Sequence, residues 1–309
     1  MTGMKRKIEF SSRAVYHIYH RSRDKGVIFY NLNDRIVYYT LAATSARKYN
    51  IVVSASSLMF THLHQSIEAS TRESMIQYLR STDSSFVRLY NSHYGLTGKL
   101  FDRDPGHSPK FTLKEKKSNL IYVFNNHVEK GLCKYAREER WSFFAYAFSN
   151  NPFSKEIDLK NASKALIKVL RLVDRRVRKN KALDYGDLDR ILPILNSDEK
   201  EQFVDYVISR YAWVDFSRAA SRFESLEAME LAINSTTGAE YEIREDYYKE
   251  KDTGYVDLNS FSRKYGFAGR ILTLTPEEKM NYILRARYET QASDAQLRRY
   301  FHCDFHAGR

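Results

Sequence analysis

"LMFTHLHQSI", residues 58–67, places two histidines two positions apart in a strand-like run. Side chains in a strand alternate between faces, so His62 and His64 point the same way, with imidazoles close enough to share one ligand. Such a pair suits a metal ion. With nine histidines in the chain, an H-x-H also arises by chance, so the flanking sequence has to supply the context.

Working outward, "AVYHIYHRS" (14–22) is β-rich and roughly alternating, and "IVVSASSLMF" (51–60) is a second strand leading into the histidine pair, which opens a third. Between the first two, "NDRIVYYTLAATSARKYN" (33–50) reads as a helix capped by Asn33 or Asp34. Residues 70–95 read as a long helix with Ser70 as cap, Glu73 as its capping-box partner and Gly95 as stop. "LTGKLFDRDPGHSPKF" (96–111) carries the glycines and prolines of loop and turn. Residues 112–131 form a further helix, with Thr112 as cap, Glu115 as box partner and Gly131 as stop. The order strand, helix, two strands, helix, helix suits an α+β domain, an antiparallel sheet with helices on one face.

The chain of 309 residues has room for one large domain or two, and its 43% hydrophobic content is ordinary for a folded protein. Its net charge of +12 is unevenly placed: residues 1–150 hold 23 lysines and arginines against 12 acids, residues 151–309 hold 27 against 26. Together with 23 tyrosines, the basic first half has the composition of a polyanion-binding surface on which bases can stack. Cys133 and Cys303 are too few for a disulfide framework and lack metal-ligand spacing, so both read as reduced thiols of a cytoplasmic protein. No run approaches the length of a membrane span, and the basic start has no apolar segment behind it, so no membrane partner is expected.

"SNNPFS" (149–154) is the best linker candidate, dividing the chain into a first domain over 1–148 and a mainly helical region over 155–309. Within 160–181, Lys164, Lys168, Arg171, Arg175 and Arg178 fall on one side of a helix, and Leu166, Leu170, Val173 and Val177 on the other. The basic side is a candidate DNA-binding surface, with an ordinary solvated face as the alternative. Near the end, Thr275 caps a helix with Pro276 at its first position, and Ser293 caps another. A helix-turn-helix over 275–302 would put Asp294, Gln296, Arg298 and Arg299 near base edges; a plain helical hairpin is the other expectation.

The motifs "YHIYHRSRDKGVIFYNLNDR", "LMFTHLHQSI", "LYNSHYGLTGKLF", "YVFNNHVEKGLC" and "RWSFFAY", in this order between Tyr16 and Tyr146, resemble those of the REP-associated tyrosine transposases, single-strand DNA transposases of the HUH type with one catalytic tyrosine. The resemblance implies a ferredoxin-like HUH endonuclease fold, with His62 and His64 as ligands of a divalent metal (Mg²⁺ or Mn²⁺) and Tyr122 as nucleophile. Asn126, the asparagine of the signature "NHVEKG" (126–131), is implied as a further metal ligand. Positions 122 and 126 are i and i+4, which independently stacks them on one face of a helix. The activity implied is cleavage and strand transfer on single-stranded DNA beside a hairpin through a 5′-phosphotyrosine, in a cytoplasmic, nucleoid-associated bacterial protein. Relatives include dimers and monomers, which leaves a homodimer open.

The chain departs from the family at Phe60 and Thr61, where Pro and Asn usually precede the H-x-H, at His127, which stands for a proline, and in "DRDPGHSPKF" (102–111), which is less basic and less strand-like than the family pattern. Two other functions compete: a non-catalytic DNA-binding regulator on the same fold, and a rolling-circle replication initiator. Asn125, three residues after Tyr122, disfavours the second, because many such initiators carry lysine there. A metallohydrolase built on His17, His20 or His107 is disfavoured, since these lack carboxylates at ligand spacing.

Overall fold

A computed structural model describes residues 10–102, 105–235 and 251–303. Four strands, β1 (Val15–Arg21), β2 (Val52–Leu58), β3 (His62–Glu68) and β4 (Gly106–Lys110), form one antiparallel sheet in the order β2-β3-β1-β4. Helix α1 (Leu32–Tyr49) joins β1 to β2, and α2 (Arg72–Tyr94) joins β3 to β4. These are two interleaved βαβ units, the ferredoxin-like arrangement. Helix α3 (Leu113–Glu129) follows β4.

β4 lies where the glycines and prolines predict a loop. Pro109 is tolerated there because β4 is an edge strand that pairs with β1 alone, so the missing N–H costs little in the ladder. The helix caps differ from expectation by a residue or two. Asn31, not Asn33 or Asp34, caps α1, with Asp34 as its reciprocal partner, and Thr71 with Ser74, not Ser70 with Glu73, opens α2. Thr112 and Glu115 open α3 as predicted, and Gly95 closes α2 with φ 64°, a left-handed conformation that favours glycine.

The expectation of helices on one face does not hold. Gln65 of β3 meets Tyr38 of α1 and Tyr78 of α2, whereas its neighbours His64 and Ser66 point oppositely, toward Tyr122 and Asn119 of α3. Alternation along β3 therefore puts α1 and α2 on one face of the sheet and α3 on the other. The α1/α2 face is closed by Asp34, fully buried, which accepts from the Tyr94 and Tyr185 hydroxyls at 2.9 Å each and from the Tyr30 and Asn31 amides. Burial pushes its carboxyl up to about 6 even though these donors pull the other way.

Beyond α3 the described chain is helical: α4 (Lys164–Arg178), α5 (Tyr185–Ile191), α6 (Ser197–Tyr211), α7 (Phe216–Ala220), α8 (Leu226–Ser235), α9 (Thr253–Lys264), α10 (Pro276–Glu289) and α11 (Asp294–Phe301), with short 3₁₀ turns between. The hydrophobic core does not divide at residues 149–154. Phe153 and Ser154 donate to the buried Asp205 of α6, which also receives Tyr146 and Arg140. Tyr39 of α1 donates to the Ile208 carbonyl of α6 at 2.7 Å, so the helical region packs directly onto the sheet domain. A segment expected as a linker is thus anchored on both sides by one carboxylate.

A second apolar cluster joins α9, α10 and α11 to Val27, Tyr30 and Phe60. Helix α11 is held there by Val27 N–H to the Arg299 carbonyl (3.0 Å) and Tyr30 hydroxyl to the Tyr300 carbonyl (2.6 Å). Gln296 is 3% exposed, and its amide donates to the Lys251 carbonyl at 2.7 Å and accepts from Ser293 N–H. That corrects the expectation for Gln296 as a base-reading residue: it closes a capping box inside the packing. Asp294 is paired with Arg287 (2.9 Å), Arg298 is exposed, and Arg299 is half-buried. With Leu297, Tyr300 and Phe301 also buried, α10 and α11 form a docked hairpin, and a helix-turn-helix presenting α11 to a groove is not what this packing builds.

Candidate active site

The antiparallel register of β1 and β3 places His17 opposite Ser66, Tyr19 opposite His64 and Arg21 opposite His62. Directly opposed residues share a face, so all six side chains line the α3 side of the sheet. Helix α3 brings Asn119, Tyr122 and Asn126 to that side at helical spacings of three and four. The His62 and His64 ring centres lie 5.1 Å apart, and the Tyr122 ring stands edge-on to His64 at 5.2 Å and to His17 at 5.5 Å. Tyr19 stacks on His64 at 5.0 Å, and the Arg21 guanidinium lies 5.1 Å from the Tyr19 ring centre. The four residues singled out for catalysis and metal binding, His62, His64, Tyr122 and Asn126, thus come from elements separated by more than fifty residues and share one side of the sheet.

A chain of hydrogen bonds runs behind His64. Asn119 donates through Nδ2 to Ser66 Oγ (2.9 Å), which turns its Oδ1 to His17 Nδ1 (2.6 Å). His17 Nε2 is 3.2 Å from His64 Nδ1. An amide oxygen only accepts, so His17 carries its proton on Nδ1 and presents a lone pair at Nε2. His64 then donates from Nδ1, and the lone pair of His64 is at Nε2. Both nitrogens of His17 are engaged, so it supports the pair and is not a third ligand. His62 Nδ1 lies 3.0 Å from the hydroxyl of Thr61.

The donor set fits a weakly held divalent ion. Two imidazoles and an amide oxygen combine nitrogen and neutral oxygen ligands, and no group of three His, Cys, Asp or Glu at metal spacing occurs among the described residues. Asn126 Oδ1 is buried and has no hydrogen-bond partner among the described residues, an orphaned acceptor that a cation would satisfy. His127, in place of the family's proline, points elsewhere: it is buried against Ser57 Oγ (3.2 Å), and burial pulls its imidazole down to about 4, so it is a neutral packing group. Phe60, another departure, is the surface on which Tyr255 of α9 packs (5.3 Å).

His20 and His107 lie on the opposite side. His20 stacks on Phe101 (3.9 Å) and faces Asp83 (3.3 Å), while His107 is paired with Ile18 on the outward edge strand. Neither Cys133 nor Cys303 is in a disulfide. The five α4 cations are exposed. His17, Asn119 and Ser66 were not anticipated. Their signal is the alternation of "VYHIYHR", which groups His17, Tyr19 and Arg21, but only the register assigns that group to the His64 side.

No family model matches the chain, and no curated protein matches it. Among solved structures, that of a REP-associated tyrosine transposase bound to a REP hairpin aligns with a TM-score of 0.40 and 12% identity, over 52% of this chain and 94% of that one. No described helix is long and apolar enough to cross a membrane.

Proposed function

We propose that this chain is a metal-dependent single-stranded DNA endonuclease and strand transferase, acting beside a hairpin through a covalent tyrosyl intermediate. The observation that carries the reading is the packing of Tyr122 against His64, with His62 and Asn126 on the same side of the sheet. A phenol with pKa of about 10 is a poor nucleophile at neutral pH until its surroundings favour the ionised form. His62, His64 and Asn126 would hold a Mg²⁺ or Mn²⁺ ion, which when bound supplies positive charge for a non-bridging phosphate oxygen.

Tyr122 Oη attacks the scissile phosphorus and gives up its proton as the new O–P bond forms. The bond from phosphorus to the 3′ oxygen breaks, and that oxygen takes up a proton, leaving a 5′-phosphotyrosine and a free 3′-hydroxyl. The reverse attack by a 3′-hydroxyl rejoins the strand, so no nucleotide cofactor is required. Tyr19 and Arg21, at the rim of the same face, suit base stacking and a backbone phosphate. His17 and Asn119 act as positioning residues that fix the His64 ring and its proton.

The test is covalent trapping. Full-length protein with labelled single-stranded hairpin DNA from its own genomic flanks and Mn²⁺ is expected to give a slow-migrating adduct on a denaturing gel. The adduct disappears with EDTA and with Tyr122→Phe, while DNA binding by that variant stays within a few-fold of wild type. Cleavage by Tyr122→Phe would sink the proposal. DNA binding without any adduct, across a randomised hairpin library, would make the chain the non-catalytic DNA-binding regulator.

A further inference from the structure

Helices α4 and α5 enclose a groove of about 480 Å³ whose walls carry Lys168, Arg175, Arg176, Lys179, Lys181 and Arg190 and a single acid, Asp187. Asp187 is 1% exposed and holds two of these cations in place, Arg176 at 2.6 Å and Arg190 at 3.0 Å. A buried carboxylate that fixes two guanidiniums leaves their remaining donors pre-aimed and removes part of the ordering cost of binding. Lys168, Arg175, Lys179 and Lys181 are exposed and make no ion pair with any described residue. Val169, Leu172 and Ile191 give the groove an apolar floor.

The groove continues into the outer face of α4. Lys168 and Arg175 belong to both, and Lys164, Arg171 and Arg178 extend the line to about 21 Å in steps of about 4.5 and 6 Å, the scale of one nucleotide of backbone. An ordinary solvated helix interleaves acids at i+3 and i+4 to pair such cations. Here Asp174, the only acid of α4, is taken by Arg210 and Tyr206 of α6. The elements that build the groove pack on α1, through Leu183 against Thr40 and Tyr185 against Asp34, and on α6.

We infer that the α4–α5 face is a second nucleic-acid site, sequence-independent and separate from Tyr122, which grips a phosphodiester backbone while the sheet face handles the scissile strand. It rests on the endonuclease reading only for its role; the binding itself stands alone. An anionic membrane is the lesser fit, because the face is concave and has no aromatic anchor.

The experiment is fluorescence anisotropy on the full chain with a labelled oligo-dT strand and a labelled duplex, as a function of salt. The expected result is that Lys168→Glu/Arg175→Glu/Lys179→Glu/Lys181→Glu weakens binding at low salt by about 100-fold. It also flattens the log K against log salt slope by about 3. The preferred form, strand or duplex, is the one whose slope falls more. A milder Lys168→Gln/Lys181→Gln variant, which removes charge without reversing it, should flatten the slope by about 1 to 2 and covers the case where the quadruple variant misfolds. Unchanged slopes for both probes, or a loss confined to phosphatidylserine vesicles, overturn the inference. Adduct formation at saturating DNA separates the two proposals: a variant with a flattened slope that still forms it supports both, whereas a wild type that forms none leaves the groove standing and removes the endonuclease.

Discussion

Strand β3 buries polar side chains on both faces and uses them differently. On the α1/α2 side, both polar atoms of Gln65 are engaged: its oxygen accepts from Tyr78 at 2.8 Å and its amide donates to Tyr38 at 3.3 Å. On the α3 side, His64 sits in a one-directional chain, in which its Nδ1 donates to His17, His17 to Asn119 and Asn119 to Ser66. A buried amide matched from two helices cross-links a core, whereas a relay of donors fixes the tautomer and orientation of the ring at its head. Burial alone therefore does not distinguish the two faces; the direction of the hydrogen bonds does.

The largest expected break between the faces comes from Tyr122→Phe, which should eliminate the adduct and leave the melting temperature within a few degrees of wild type. Asp34, on the structural side, should give the second largest break, in the pH dependence of stability. Its folded pKa of about 6 lies above the unfolded value of 3.8, so the folded state binds the proton more tightly. That contribution is fully present below about pH 4 and is lost as pH rises through 6, an effect of up to about 3 kcal/mol. Because the depressed His127 imidazole contributes a slope of opposite sign over the same window, the readout is the difference between the two proteins: in denaturant titrations from pH 4 to 7, the stability of the wild type relative to Asp34→Asn should fall as pH rises through 6. A slope unchanged in the variant would assign the effect elsewhere.

His17→Phe should sharpen the contrast from the other side. It removes the acceptor of His64 Nδ1–H, and Mn²⁺ affinity measured calorimetrically should fall about 10- to 100-fold. His17→Gln, which can still accept there, should recover part of it, an outcome that loss of packing alone would not give. Tyr78→Phe leaves the Gln65 oxygen without its hydroxyl donor and should cost about 1–3 kcal/mol of stability with adduct formation by the surviving fold unchanged. The smallest effect is for Gln296→Ala: about 1 kcal/mol of stability from the lost cap, and no change in DNA affinity. A drop in affinity there would restore α11 as a reading helix.

The histidine pair, the Tyr122 helix with its capping box and the apolar stripe of α4 were legible in the sequence because each is a local pattern. Alternation sets the face of His62 and His64, helical spacing stacks Tyr122 under Asn126, and Thr112 with Glu115 satisfies amides within one turn. β4 was not legible, since its glycine and proline carry no strand signal and only pairing with β1 makes it a strand. Gln296 was misjudged for a related reason: a position at the start of a helix tells where a side chain leaves the backbone, and the burial of α11 against Val27 and Tyr30 decides what it meets.

By itself the sequence determined the α+β order as far as α2, the shared direction of the two histidines and the i, i+4 relation of Tyr122 and Asn126, all consequences of backbone periodicity over a few residues. Tertiary structure alone decided that His17 and Asn119 stand behind His64, that α3 takes the face opposite α1 and α2, and that α5 closes a basic groove against α4. Those depend on strand register and helix docking, where residues tens to more than a hundred positions apart compete for the same buried surface, and a one-residue slip of β1 would turn His17 away from His64.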